Sequence, residues 1–288
     1  MRGRSSITAR TNVVALIGDP IGHSLSPTIF NQAFEAADLD WVYVALPVAA
    51  GHGDAAVAAM RLFGIRGMTV TMPHKEAVVA GCDELTPDAQ ALGAVNCLTL
   101  RDDLRIEGDS TDGQGFIRAL DKQGVGVSGR RVVVLGAGGA ARSIVLALGR
   151  AGAQVTVVAR RIDAARMACA LAPGSQAVAM ADVDAAVTEA DVIVNATPLG
   201  MNADMPPLAV DVLRPEQFVA DTVYHPLETP LLAATRARGI PGCNGVGMLI
   251  EQAVPVFERW TGVVAPVEAM YSAAQEVLLR AAARRAGN

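Results

Sequence analysis

The chain has 288 residues, with 24 Lys and Arg against 29 Asp and Glu, a net charge of -5. A hydrophobic content of 51% excludes a disordered chain and is enough for one large or two ordinary domains with a sizeable core. No Lys/Arg run argues for nucleic acid and no apolar run is long enough to span a bilayer. The basic start "MRGRSSITARTN" lacks the apolar core of a signal peptide, so a cytoplasmic protein is expected.

The chain alternates β-rich and helical runs, which predicts α/β architecture. "VVALIG" (13–18) is predicted as a strand. In "GHSLSPTIFNQAF" (22–34) the apolar residues Ile29, Phe30, Ala33 and Phe34 recur at helical spacing, with Ser26 as N-cap and Pro27 as first helical residue. Ser24 is then left over. It is either a spare loop serine or, with Ser26 and the helix amides, part of a cradle for a carboxylate or phosphate. "WVYVALPV" (41–48), a helix over 53–63, "RGMTVTM" (66–72), a short helix from His74 or Lys75, and two strands within 94–110 turning at Asp102-Asp103 complete one α/β unit.

A helix over 112–124 leads out of it, and Gly124, Gly126 and Gly129 mark a boundary. From Arg130 strands and helices alternate: "RRVVVLGAGGAARSIVLALGRAG", the strand "AQVTVVARR", the helix "DAARMACALA", the strands "QAVAM", "ADVIVNATP" and "FVADTVY", and a helix over 229–239. Strands joined by crossover helices predict a doubly wound parallel sheet. Two helices close the chain, 247–262 and 266–285, and they should pack back onto the first unit; Pro255 should kink or break the first. The expected domains are therefore 1–111 completed by 247–288, for substrate and catalysis, and 112–246, for a nucleotide.

Four cysteines (82, 97, 169, 243) and four histidines (23, 52, 74, 225) lie far apart, without metal-ligand spacing. Reduced thiols and no metal are expected. "VVVLGAGGAA" fits G-x-G-x-x-A with Gly136, Gly138 and Ala141, between a predicted strand and a helix, which is the context of a dinucleotide-binding turn. Where NAD sites carry a carboxylate on the ribose, this chain has Ala159, Arg160 and Arg161. A guanidinium can bind a 2′-phosphate in bidentate fashion, so NADP is the expected cofactor. A second polar set stands outside this unit: Thr69 and Thr71 on one strand face, Lys75 at a helix start, Asn96 at a strand start and Asp112 at the hinge. Each is ordinary alone, but all fall at strand ends, where open α/β units bind ligands.

"SLSP", "TVTMPHK", "GAVN", "STDG", "GAGGAAR", "NATPLGM", "DTVYHPLETPLL" and "GMLIEQA" occur in this order between residues 17 and 262. Together they resemble the shikimate/quinate dehydrogenase family. The resemblance implies a small α/β substrate domain plus a Rossmann domain, and NADP-dependent interconversion of 3-dehydroshikimate and shikimate in aromatic amino acid biosynthesis. It implies Lys75 and Asp112 as catalytic dyad, and Ser24 and Ser26 on the carboxylate with Tyr224 near it. Thr71, Asn96 and Gln252 would hold the ring hydroxyls. The implied cofactor set is Gly136, Ala137, Gly138, Gly139, Ala140, Arg160, Arg161, Thr197, Gly245 and Met248. The partner is then a small cyclic hydroxy acid, bound by a monomer or homodimer. Three positions depart from the common pattern: Thr69 and Ser110 stand for asparagines, and Ala159-Arg160-Arg161 for Asn-Arg-Thr. Alternatives are a quinate, aminoshikimate or broad-specificity dehydrogenase, a methylenetetrahydrofolate dehydrogenase-like enzyme, and a non-catalytic NADP-binding regulator.

Overall fold

A computed structural model describes residues 7–201 and 205–286; the first six residues of the basic N-terminal stretch lie outside it. The chain forms two compact units. One takes the chain up to Thr111 together with Gln252–Val277, the other Asp112–Glu251 and the tail from Leu278. The return to the first unit thus begins at Gln252, inside a helix, rather than at residue 247.

The first unit runs β1 (Asn12–Gly18), α1 (Ser26–Ala36), β2 (Trp41–Pro47), α2 (Gly53–Phe63), β3 (Gly67–Val70), β4 (Glu84–Leu85), α3 (Pro87–Leu92), β5 (Cys97–Leu100) and β6 (Ile106–Asp109). The sheet order is β2-β1-β3-β5-β6-β4. β1 pairs in parallel with β2 and β3, whereas β5 is antiparallel to both β3 and β6. β1 is buried from Val14 to Gly18, as a central strand covered on both faces must be. α1 contributes Ile29, Phe30, Ala33 and Phe34, and α2 contributes Val57 and Met60, to the packing.

The second unit runs α4 (Asp112–Lys122), β7 (Arg131–Leu135), α5 (Gly139–Arg150), β8 (Gln154–Ala159), α6 (Ile162–Cys169), β9 (Gln176–Ala179), α7 (Val183–Glu189), β10 (Val192–Asn195), β11 (Phe218–Asp221), α8 (Pro230–Ala237) and β12 (Gly242–Cys243). Its sheet is parallel throughout, in the order β12-β11-β10-β7-β8-β9. The strand order reverses beside β7, which makes the turn after β7 the switch point where such sheets bind ligands. One core packs α5 and α6 on one face through Ile144, Leu148 and Ala165, and a second core buries Val133, Leu135 and Ile193 on the other.

α9 (Val246–Thr261) and α10 (Val267–Ala286) close the chain. α9 continues through Pro255 as one helix, so of the expected kink or break the break is absent. Buried side chains on both sides of the proline, Ile250, Ala253, Val256 and Phe257, hold the helix across the missing hydrogen bond. Within the first unit Trp260 lies against β3, where a Cβ on Gly67 would meet its indole at 2.1 Å, and its Nε1 donates to Leu98 O at 3.2 Å.

Two other expectations change. α1 starts at Ser26 itself, with Leu25 as N-cap, whose side chain has no acceptor for a cap bond, and the Ser26 N–H donates back to Ser24 Oγ at 3.2 Å. The helix expected from His74 or Lys75 is a single 3₁₀ turn, Ala77–Gly81.

Candidate active site

Ser24 and Ser26 stand half-buried at the start of α1, their hydroxyls 3.3 Å apart. Pro27 in the first turn carries no N–H, so the helix opens with few bonded donors and two hydroxyls on one side. Such a terminus favours an anion through its dipole and the two serine hydroxyls, since the Ser26 N–H is bonded to Ser24 Oγ and Pro27 carries none.

In the same unit β3 ends at Val70, and the chain continues as Thr71-Met72-Pro73-His74-Lys75. Thr71 and Lys75 are half-buried. The buried His74 ring pins this stretch: its Nε2 donates to Val48 O at 2.7 Å. The Lys75 carbonyl accepts from the Val95 N–H at 2.8 Å, which fixes the backbone from the other side. Thr69 is buried, and its hydroxyl is hydrogen-bonded to that of Tyr43.

Asn96, at the mouth of β5, is buried and belongs to a triangle. Its Nδ2 donates to Thr111 Oγ1 at 3.1 Å and to Gln252 Oε1 at 3.4 Å, and its Oδ1 accepts the Thr111 N–H at 2.8 Å. The Thr111 hydroxyl also reaches Gln252 Oε1 at 3.3 Å. Two amides and a hydroxyl so arranged offer donors and acceptors together, which suits vicinal ring hydroxyls. Sequence reasoning missed Thr111, although it precedes Asp112 in the T-D-G motif. Arg259 Nη2 on α9 pairs with Asp109 at 2.7 Å, and Thr86 Oγ1 donates to the other Asp109 oxygen at 2.5 Å, so the end of β6 is held just before Thr111.

In the second unit Asp112 opens α4 and is buried, and Gly113 allows α4 to lie on α5: a Cβ there would meet Ser143 O at 2.3 Å. The turn after β7 is built for close approach. Gly136 has φ +111°, and a Cβ on it would lie 2.9 Å from Ala196 O. Gly138 and Gly139 face open space, and α5 begins at Gly139 without any side-chain cap, while Ala137 and Ala140 are half-buried. These amides therefore fit a pyrophosphate, since α5 has no side-chain cap that would occupy them.

At the end of β8 Arg160 and Arg161 are exposed, and Asp163 is engaged by Arg166 at 3.1 Å, one turn into α6. No acid stands where a ribose 2′-hydroxyl would be read, so the residues fit a 2′-phosphate. Thr197, which borders Gly136, donates its hydroxyl to Asn195 Oδ1 at 2.7 Å. Asn195 donates to the buried Asp221 at 2.9 Å; Asp221 also accepts from Thr229 Oγ1 at 2.7 Å and from the Val223 N–H at 3.0 Å. One carboxylate thus fixes both the Thr197 loop and the loop that carries Tyr224, a network unseen in the sequence. Burial pushes the Tyr224 phenol above its ordinary range, which keeps it a donor. Gly245 lets the chain cross that loop, since a Cβ would meet Thr222 O at 2.0 Å, and Met248 packs half-buried against the core of the second unit.

Among the described residues no group of three His, Cys, Asp or Glu could hold a metal ion, and no helix is long and apolar enough to cross a membrane. The four cysteines are free, and burial raises the Cys97 thiol to about 12.

Comparison with known proteins gives one family. Residues 16–98 match the shikimate dehydrogenase substrate binding domain, 119–201 match shikimate/quinate 5-dehydrogenase, and 245–275 match the shikimate 5′-dehydrogenase C-terminal domain. Shikimate dehydrogenase (NADP(+)) of Moorella thermoacetica is 41% identical over 282 residues, covering 94% of this chain and 95% of that protein. A solved shikimate dehydrogenase in complex with NADP+ superposes with a TM-score of 0.90 at 34% identity, covering 95% of this chain and 98% of the other. Quinate dehydrogenase from Corynebacterium glutamicum in complex with NAD superposes at 0.85, with 30% identity and coverage of 91% and 98%.

Proposed function

The chain belongs to the shikimate dehydrogenase family, and from that premise we propose that it reduces 3-dehydroshikimate to shikimate reversibly with Lys75 as general acid–base. It is an NADP-dependent dehydrogenase acting on a secondary alcohol. The observation that carries the reading is the pair of hydroxyls at the start of α1, in one unit with Lys75 and the Asn96–Thr111–Gln252 triangle. An anion cradle, a proton donor and a hydroxyl-reading cluster are what a cyclic hydroxy acid requires.

Gly136, Gly138 and Gly139 would bring backbone amides to the pyrophosphate of NADPH and Arg160 and Arg161 would meet its 2′-phosphate, and the cofactor would supply a hydride. Ser24 and Ser26 donate to the substrate carboxylate. Thr71, Asn96 and Gln252 fix the ring hydroxyls and so the face that the ketone presents. The Lys75 ammonium donates to the ketone oxygen as negative charge develops there, and in the reverse direction its amine takes the hydroxyl proton back. Asp112 is the second member of the dyad that the family resemblance implies. Orientation by the carboxylate end matters because a misplaced carbonyl loses the alignment that makes the step effectively unimolecular.

Steady-state oxidation of shikimate and of quinate with NADP tests the reading. Shikimate should be preferred in kcat/KM by at least roughly tenfold, about 1.4 kcal/mol. Quinate carries an extra hydroxyl at the carboxylate-bearing carbon, which Ser24 and Ser26 would crowd and leave unpaired. Thr69 is the one feature that favours a second reading, because it is shorter than asparagine and loosens the grip on the ring. A quinate value equal to shikimate's would make this chain a quinate or broad-specificity dehydrogenase.

A further inference from the structure

Asn195 closes β10 fully buried, and every hydrogen-bonding valence of its side chain is filled. Its two Nδ2 protons go to Asp221 Oδ1 at 2.9 Å and to Leu199 O at 3.1 Å. Its Oδ1 accepts the Thr197 N–H at 3.1 Å and the Thr197 hydroxyl at 2.7 Å. The amide cannot be turned over. The Asp221 oxygen, which also takes the Val223 N–H at 3.0 Å, has to meet the Nδ2 side, and the Thr197 N–H has to meet the Oδ1 side. An amide oxygen carries no proton, so the proton in the 2.7 Å contact belongs to Thr197. Thr197 Oγ1 also accepts the Leu199 N–H at 3.2 Å. A hydroxyl has one proton and two lone pairs, so Thr197 has one lone pair left to offer a ligand.

Thr197 is half-buried beside the nucleotide turn, its Cγ2 3.1 Å from where a Cβ on Gly136 would stand. In the sheet, β8 and β10 flank β7 on opposite sides. A dinucleotide lies across such a switch point with its pyrophosphate at the turn after the central strand. Arg160 and Arg161, read as the 2′-phosphate site, put the adenosine half at the end of β8. The end of β10, with Thr197, then faces the other half, which carries the nicotinamide.

We propose that Asn195, anchored by Asp221, is a positioning residue for the nicotinamide half of NADP: it commits the Thr197 proton inward, so that Thr197 meets that half as an acceptor and selects a ligand O–H or N–H. The inference rests on the reading of Thr197 and Arg160 as cofactor residues.

Phosphate oxygens carry no proton at neutral pH, so an acceptor at the end of β10 turns them away and leaves them to the amides of the β7–α5 turn. The nicotinamide half brings donors instead, its ribose hydroxyls and its carboxamide N–H. One hydroxyl thus helps to set the register of the dinucleotide along the crevice. The anchor is itself held: Asp221 Oδ2 accepts from Thr229 Oγ1 at 2.7 Å, and Thr229 caps α8 by accepting the Leu232 N–H at 3.3 Å. Asp221 acts here by accepting and not by its charge, so Asp221→Asn keeps a carbonyl oxygen for both Asn195 and the Val223 N–H.

Calorimetric titration with NADP, its 3-acetylpyridine analogue and adenosine 2′,5′-bisphosphate provides the test. The proteins are the parent, Thr197→Val, Thr197→Ser, Asn195→Ala, Asp221→Asn and the double variant Asn195→Ala with Thr197→Val. The bisphosphate carries the adenosine half alone and reports an intact fold and arginine site. Thr197→Val and Asn195→Ala should each weaken NADP roughly fivefold and the bisphosphate less than about twofold. Thr197→Ser and Asp221→Asn should stay within about twofold of the parent, since each keeps the acceptor that matters. The double variant should be at most about twofold weaker than Thr197→Val, because Asn195 acts only through that hydroxyl. The analogue has no carboxamide N–H: if Thr197→Val weakens it as much as NADP, the donor is a ribose hydroxyl, and if it does not, the donor is the carboxamide. Equal losses for NADP and the bisphosphate, or a full further loss in the double variant, overturn the inference. So does tighter NADP binding by Asn195→Ala, which would show that the released Thr197 hydroxyl donates. If Asn195→Ala does not fold, the Thr197 pair decides: a loss confined to NADP in Thr197→Val and recovered in Thr197→Ser supports the inference, and any other pattern overturns it. A parent that binds neither NADP nor the bisphosphate overturns the cofactor reading itself.

Discussion

Lys75 and Arg160 carry the two predictions that belong to single side chains. Lys75 is half-buried on a stretch pinned by His74 and Val95, so its removal leaves the backbone in place. Lys75→Ala should lower kcat by roughly 10²–10⁴ with a much smaller change in shikimate KM, because a general acid acts in the transition state and not in binding. Single-turnover and steady-state rates decide it, and a variant near the parental rate removes the acid–base assignment. Arg160 is exposed at the end of β8, with the nearby Asp163 held by Arg166. Arg160→Ala should raise the KM for NADP roughly tenfold and leave that for NAD almost unchanged, since only NADP carries the phosphate. Equal shifts for both cofactors would place the arginine outside the phosphate site. Both residues stand out in the sequence by their local order, a lysine after a β-strand and arginines in place of an acid. Tyr43 and Thr111 were not, since each matters through partners 26 and 141 positions away, Thr69 and Gln252.

At the scale of elements, the turn between β7 and α5 is the most constrained segment. Gly136 combines φ +111° with 2.9 Å of clearance to Ala196 O, so an alanine there is strained in its backbone and crowded at its side chain. Gly136→Ala should weaken NADP binding at least tenfold in calorimetric titration and lower the melting temperature. Unchanged affinity would show that the turn has room to spare. The strand–glycine–helix order made this turn readable. So did the long apolar strands β1, β7 and β8, whose central positions need continuous burial. β4 and β12 are two residues each and carry no periodicity to read. α3 was readable and was missed: Thr86 caps it, accepting from the Ala89 N–H at 3.4 Å, Pro87 begins it, and Gly93 ends it at φ +59°. α9 shows the opposite case, in which burial of its apolar residues overrides the proline that marked a break.

For the molecule as a whole, stability should follow the buried charge of Asp221. Desolvation raises this carboxyl above its ordinary value against the opposing hydrogen bonds from Thr229, Val223 and Asn195. The folded state therefore binds this proton more tightly than the unfolded state, so the contribution is present below the ordinary carboxylate range and is lost as pH rises through the raised value. Asp221→Asn removes that loss while keeping an acceptor for Val223. In urea unfolding between about pH 4 and pH 7, the parent should lose stability relative to the variant as pH rises. Parallel pH profiles would show that the site is solvated. The sequence by itself determined the two α/β units, the parallel sheet of the second and its strand–glycine–helix turn, because all of these are written in local periodicity and short spacing. Tertiary structure alone decided where α9 changes from one unit to the other, that Trp260 fills the space left by Gly67, and that Asp221, Tyr43 and Thr111 bind distant loops together. These are long-range contacts between buried groups, and their energy depends on the neighbours that the fold supplies, which no local pattern encodes.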